Sequence, residues 1–142
     1  MFEPELRLNL ISTEVIPDPS LTALNITHLH LDPSRVTQIF INLLTNAIKF
    51  VKTESKKRIE VRYGVALSSP RSTFSEDLDW APKGKSAGDV TDGPEWGSGG
   101  VVYLTFSITD TGIGMGRNEI KKIFERFGQA NVKPTLHMGA RA

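Results

Sequence analysis

Arg35, Gln38, Asn42, Asn46 and Lys49 recur at intervals of three and four residues within DPSRVTQIFINLLTNAIKF, residues 32–50, and so share one side of any helix built from it. A merely solvated face would favour Glu, Lys and Gln, whereas each interior Asn costs roughly half a kcal/mol of helix propensity relative to Ala. Two amides one turn apart therefore point to a task, although Asn also occurs on ordinary exposed faces and this spacing alone does not decide. The second half of the chain adds weight. Continuing the two-residue period of Val102, Leu104, Phe106 and Ile108 puts Asp110 on the same inward strand face, where a carboxylate needs a partner or its burial is costly. Thr111-Gly112-Ile113-Gly114 follows, with glycines that let the backbone turn sharply and a flat ligand approach.

The elements that must position these groups are readable from patterning. Asp32 is placed to cap the helix and Pro33 stands where its missing N–H costs nothing. Val36, Ile39, Phe40, Leu43, Leu44, Ala47 and Phe50 form its apolar face at about 100° per residue. Ile59, Val61, Tyr63 and Val65 alternate with Arg58, Glu60 and Arg62, which predicts a strand over 58–66 with one wet face, and a second is predicted over 101–109. Ahead of the helix, alternation predicts a strand over 9–15, a turn at Pro17-Asp18-Pro19-Ser20 and a short strand over 25–31. That last segment carries His28 and His30 on one face, a spacing that could hold a metal but is met more often on an ordinary strand surface. Residues 1–8 read as the end of a helix entering the domain.

Residues 67–100 are rich in Ser, Pro, Gly and Asp, with six acids (Glu76, Asp77, Asp79, Asp89, Asp92, Glu95) against three bases (Arg71, Lys83, Lys85). Their few apolar anchors are Phe74, Leu78, Trp80 and Trp96, and they are expected to form a flexible insertion. Its Gly-Ser-Gly-Gly end lacks the Lys-Ser/Thr and following helix of a phosphate loop. After the glycines, Asn118 is expected to cap a short helix reaching Phe124, with Ile120, Ile123, Phe124 and Phe127 inward, and 128–142 reads as loop.

Composition sets the bounds. The 142 residues fit one domain. Lys plus Arg (17) balances Asp plus Glu (16), so no basic field exists for nucleic acid or an anionic membrane. The absence of cysteine removes disulfides, thiol nucleophiles and thiolate metal sites. The apolar runs are too short to span a bilayer and the N-terminus is not a secretory signal, so a cytoplasmic location is expected.

The three stretches DPSRVTQIFINLLTNAIKF, ITDTGIGM and IFERFGQAN, in this order, closely resemble the N box, first glycine box and F box of the catalytic ATP-binding domain of sensor histidine kinases. The likeness is to the hybrid type common in fungi, within the class shared with gyrase, mismatch-repair and heat-shock chaperone ATPases. The resemblance implies an α+β fold, the two-layer GHKL or Bergerat sandwich, in which a mixed, mainly antiparallel sheet is covered by helices on one face. It also implies the roles of the site residues. Asn46 coordinates a magnesium ion that bridges the phosphates of ATP, and Asn42 supports the same network; a neutral carbonyl oxygen suits a hard, six-coordinate ion. Lys49, with Arg35 further along the stripe, supplies positive charge, and Phe50 packs near the adenine. Asp110 accepts the exocyclic amine of adenine, and Gly112 and Gly114 line the base and the start of a mobile lid anchored by Phe124 and Phe127.

Hydrolytic relatives carry Glu at the position of Asn42, and an amide cannot serve as a general base, which favours phosphoryl transfer. The implied reaction is transfer of the terminal phosphoryl group of ATP to a histidine on separate dimerisation helices, with a receiver domain involved indirectly. His28, His30 and His137 do not match the family's acceptor motif, and its second glycine box has no counterpart in Leu136-His137-Met138-Gly139. The expectation is thus one ATP-binding domain over 1–142, with 1–8 as an incoming linker, 67–100 as an insertion, 128–142 as a truncated lid, and no activity alone. A non-catalytic module that docks on dimerisation helices and an inactive remnant are the alternatives.

Overall fold

The structure, a computed structural model, describes residues 1–69, 93–120, 122 and 139–141. Its elements are α1 (Glu3–Leu8), β1 (Ser12–Pro17), α2 (Ser20–Ala23), α3 (Pro33–Val51), β2 (Arg58–Ala66), a 3-10 turn (Pro94–Trp96), β3 (Val101–Asp110) and β4 (Gly139–Arg141). The sheet runs β1-β2-β3-β4, with β1 parallel to β2 and the other two pairs antiparallel. The parallel pair is joined by the crossover carrying α2 and α3, as parallel neighbours require. This is the mixed, mainly antiparallel sheet of the expected α+β fold.

The helix bearing the stripe starts where its sequence directs. Asp32 is extended and its carboxylate accepts the backbone N–H groups of Ser34 (2.9 Å) and Arg35 (3.2 Å), with Pro33 in the first turn. Asp32→Ala is expected to cost about 1 kcal/mol of stability, the usual value of such a cap, read as a lowered midpoint in urea unfolding.

The core joins one face of α3 to one face of the sheet. Leu44, Ala47, Ile48 and Val51 pack with Ile59 and Val61 of β2 and with Ile11, flanked by Phe2, Leu6, Phe40 and Ile108. The expected apolar face is rotated slightly. Ile48 is 2% exposed and belongs to the core, while Leu43 is 42% exposed on the flank of the helix toward Phe50. Phe2 and Leu6, from the stretch expected as an incoming linker, pack on this core. The other face of the sheet is wet, with a ladder of exposed ion pairs joining Glu14, Arg58, Glu60 and Arg62 across β1 and β2.

Two helix ends close in the same way. At α1, Leu10 (φ 56°) donates to the Arg7 carbonyl and Ile11 donates back to Leu6 (2.9 Å); at α2, Asn25 (φ 51°) and Ile26 repeat the pattern onto Thr22 and Leu21. These are Schellman closures, in which a left-handed residue reverses the chain and the next apolar residue tucks under the helix. The second overturns the strand expected over 25–31. Asn25 and Ile26 are committed to closing α2, and the chain then runs without regular structure to Asp32, with a single β-bridge at His30. The turn at Pro17–Ser20 is real but already contains the start of α2. There the Asp18 carboxylate accepts the Ser20 N–H (2.8 Å), and hydrogen bonding by Ser20, reinforced by the charge of Arg62, holds that carboxyl below its ordinary range. Gly64 of β2 makes room for this corner, since a Cβ there would lie 2.7 Å from Asp18 Cβ.

Of the expected insertion, the described end carries the 3-10 turn, whose Trp96 packs against the His30 ring at 5.3 Å between centroids. The described end of 128–142 is likewise not loop, because Gly139–Arg141 pairs with Val101–Tyr103. Among the described residues no helix is long and apolar enough to cross a membrane, and no three His, Cys, Asp or Glu residues gather as a metal site, His28 and His30 included.

Candidate functional site

Along α3 the buried face fixes where the polar stripe must lie. With Leu44, Ala47, Ile48 and Val51 turned into the core, Arg35, Gln38, Asn42, Asn46 and Lys49 are all exposed. Among the described residues, the side chains of Asn42, Asn46 and Lys49 make no hydrogen bond or ion pair, and the Lys49 ammonium lies 6.0 Å from the centre of the Phe50 ring. Two amides and one cation are therefore available to something outside the fold. Phe50, half-buried in the last turn of α3, is where the helix meets the sheet.

Asp110 closes β3 opposite Ile59, a fully buried residue of β2, and is itself half-buried. Its Oδ1 accepts the Gly112 N–H at 2.8 Å, and among the described residues its Oδ2 has no partner. One carboxylate oxygen is thus spent on holding the loop, while the other remains open as an acceptor.

Gly112 is the junction between helix and strand. A Cβ built there would stand 2.6 Å from Asp110 Oδ1, 2.8 Å from Phe50 Cβ and 2.9 Å from the Phe50 carbonyl carbon. The loop after Asp110 therefore presses against the backbone of the last helical turn, a contact only glycine permits. The missing side chain of Gly112 thus gives room to Phe50. Gly114 serves conformation instead, with φ +68° and open space for 4 Å around the point where a Cβ would stand. Ile113 and Met115, between and after the glycines, are 71% and 49% exposed.

Thr111, which sequence reasoning passed over, is the most heavily bonded residue of the loop. Its Oγ1 donates to the Lys56 carbonyl (2.6 Å) and accepts the Arg58 N–H (3.0 Å), and its own N–H donates to the Arg58 carbonyl (3.1 Å). The available signal was a hydroxyl residue between an acid and a glycine at a strand end, where side chains replace missing ladder bonds.

The helix after the glycine box opens at Gly116, not Asn118. Its carbonyl accepts from Glu119 and Ile120, and the Glu119 carboxylate reaches back to the Gly116 N–H at 2.8 Å, half of a capping box. Phe124 and Phe127, expected to anchor a lid, lie outside the described residues. A shallow open depression of about 400 Å³, lined by Pro33, Ser34, Thr37, Gln38 and Ile41, sits on the first half of α3 and includes neither Asn42, Asn46 nor Asp110.

The structure thus brings Gly112 against both Asp110 and Phe50, with Asn46 one helical turn before Phe50. Residues 31–140 match the family model of histidine kinase-, DNA gyrase B- and HSP90-like ATPases. The chain is 31% identical over 108 residues to the hybrid signal transduction histidine kinase D of Dictyostelium discoideum, covering 76% of this chain and 6% of that protein. It is 30% identical over 111 residues to the autoinducer 2 sensor kinase/phosphatase LuxQ of Vibrio vulnificus, covering 78% and 9%. Identity to the sensor protein kinase WalK of Staphylococcus haemolyticus is 25% over 109 residues, covering 77% and 12%. The chain therefore spans only a small part of the length of these relatives. No solved structure matches. With the family model covering most of the chain, including the amide-bearing helix and the Asp-x-Gly-x-Gly loop, this protein belongs to the histidine kinase-, DNA gyrase B- and HSP90-like ATPase family, as an ATPase domain of the histidine kinase kind.

Proposed function

We propose that the chain binds magnesium-ATP between the last three turns of α3 and the loop after β3, and presents the terminal phosphoryl group to a histidine on separate dimerisation helices in the cytoplasm. The observation that carries this reading is the packing of Gly112 on Phe50, which sets the acid of the strand end beside the last turn of the amide-bearing helix. The donor set fits the ligand. Asn42 and Asn46 offer neutral amide oxygens, Lys49 a cation whose one contact is with the Phe50 ring, and Asp110 one open carboxylate oxygen, none of them in a competing hydrogen bond or ion pair among the described residues.

In this reading Asp110 Oδ2 accepts the exocyclic amine of adenine while Oδ1 keeps the loop in place, and Phe50 borders the base. Asn46 holds magnesium through its amide oxygen, with Asn42 orienting the same network and Lys49 meeting a phosphate. The bound ion supplies charge neutralisation on the phosphates. Asn42, being an amide, cannot take a proton from water, so the site holds the phosphoryl group for an incoming imidazole instead of hydrolysing it. The acceptor helices are contributed by another domain.

Calorimetric titration with magnesium-ATP tests the binding step, and incubation of γ-labelled ATP with an acceptor-histidine domain tests the transfer. Saturable binding is expected. Asn46→Ala should weaken binding about tenfold with magnesium present and change it little with magnesium chelated, in keeping with loss of one ion ligand. Binding left unaltered by both Asn46→Ala and Asp110→Ala would remove the basis for this assignment.

A further inference from the structure

Resting on the nucleotide reading above, the geometry points to Thr111 as the positioning residue that makes Asp110 selective for a base bearing an exocyclic amine. The β2–β3 ladder ends at the Ile59–Asp110 pair. Beyond it, the chain would be free to fray just where the carboxylate must be held. Thr111 extends the ladder by one residue. Its N–H bonds the Arg58 carbonyl, and its hydroxyl bridges the Lys56 carbonyl and the Arg58 N–H. These three bonds tie the loop after Asp110 to the chain entering β2, and the neighbouring Lys57 carbonyl accepts the Ser12 N–H of β1 at 2.9 Å. The anchor is thus part of the sheet and not another loop.

From this anchor the constraint passes to the acid. With Thr111 fixed, the Gly112 N–H is held against Asp110 Oδ1, and the close contact of Gly112 with Phe50 removes the remaining freedom of the loop. Oδ2 is then the one oxygen left to accept from a ligand, and its direction traces back to Thr111, whose bonds are all to main-chain groups of Lys56 and Arg58. Preorganised acceptors bind better than acceptors that must be ordered on binding. The hydroxyl bonds are solvent-exposed, so their loss is offset by water far more than at a buried site, and the fold should survive their removal.

The test is a cycle between two variants and two ligands, measured by calorimetry on the whole chain. Purine riboside triphosphate lacks the 6-amino group of ATP and so does not engage Asp110 Oδ2. Thr111→Val, which matches the shape of threonine without its hydroxyl, should weaken ATP binding by about tenfold, the scale of one charge-assisted hydrogen bond, and purine riboside triphosphate binding by less than about twofold. Thr111→Ser should retain the wild-type ratio between the two ligands. Arg58 and Gly112 amide hydrogens should exchange faster in Thr111→Val and not in Thr111→Ser. Equal weakening of both ligands in Thr111→Val, or no weakening of either, would overturn the assignment, as would a serine variant that behaves like valine. Should the valine variant melt below the assay temperature, Thr111→Ala carries the same comparison. Wild-type protein that binds neither ligand would overturn the nucleotide reading itself, and this assignment with it.

Discussion

Gly112→Ala is expected to lose magnesium-ATP binding by more than about thirtyfold and to lower stability by about 1–3 kcal/mol, the range for forcing a methyl group into packed space. The cause is lack of space and not backbone conformation. Gly97 and Gly114 are the described glycines with positive φ, so at Gly112 an alanine could adopt the backbone without strain. Its Cβ, however, would meet Asp110 Oδ1 at 2.6 Å and the Phe50 backbone at 2.9 Å. Neither neighbour can yield cheaply. Phe50 is flanked by Val51, fully buried, with Ile48 of the same turn also in the core, so the helix end cannot retreat without disturbing both. Moving Asp110 instead breaks its bond to Gly112 and redirects the open oxygen.

Gly114→Ala provides the control. It places a side chain at φ +68° with open space around it, which strains the backbone but displaces no neighbour. Thermal unfolding followed alongside calorimetry should therefore show a larger loss of both stability and affinity for Gly112→Ala than for Gly114→Ala. A Gly112→Ala protein with wild-type affinity would mean that the helix end and the strand end do not form one site.

Much of this architecture could be read from the chain because the relevant segments have strong periods. The stretch 32–50 carries its own cap and a broad apolar face, and 58–66 alternates cleanly, so α3 and β2 fall where expected to within one residue. The polar stripe was legible for the same reason, since burying one side of a helix fixes the other. What the pattern could not supply is rotation and closure. Ile48 and Leu43 are both apolar, the first just outside the expected face and the second within it, and only the position of β2 decides which is buried. The alternation over 25–31 resembles a strand, but Asn25 is drawn into closing α2, and a local hydrogen-bonded motif outweighs a short apolar rhythm. Thr111 offered only the weak signal of a hydroxyl residue at a strand end, for a different reason. Its partners are main-chain atoms of Lys56 and Arg58, more than fifty residues away in sequence, and residue types do not reveal which main-chain groups a hydroxyl will meet.

Asp110→Asn should change which base the site prefers rather than simply weaken it. The asparagine carbonyl can keep the bond now made by Oδ1 to the Gly112 N–H, so the loop and the fold should be retained. The amide nitrogen then replaces Oδ2, and a donor stands where an acceptor stood. Against adenine, two donors face one another and a charge-assisted bond is lost, for which the expected penalty is about 10- to 100-fold in affinity, corresponding to roughly 1.5–3 kcal/mol. Inosine triphosphate carries a 6-oxo acceptor in place of the amine and should bind the variant better than it binds the wild type. Competition between ATP and inosine triphosphate for a fluorescent nucleotide reads the ratio directly, with no need for phosphoryl transfer. If the ratio stays at its wild-type value, Asp110 does not read the base, and the strand-end acid serves only to hold Gly112 against the helix.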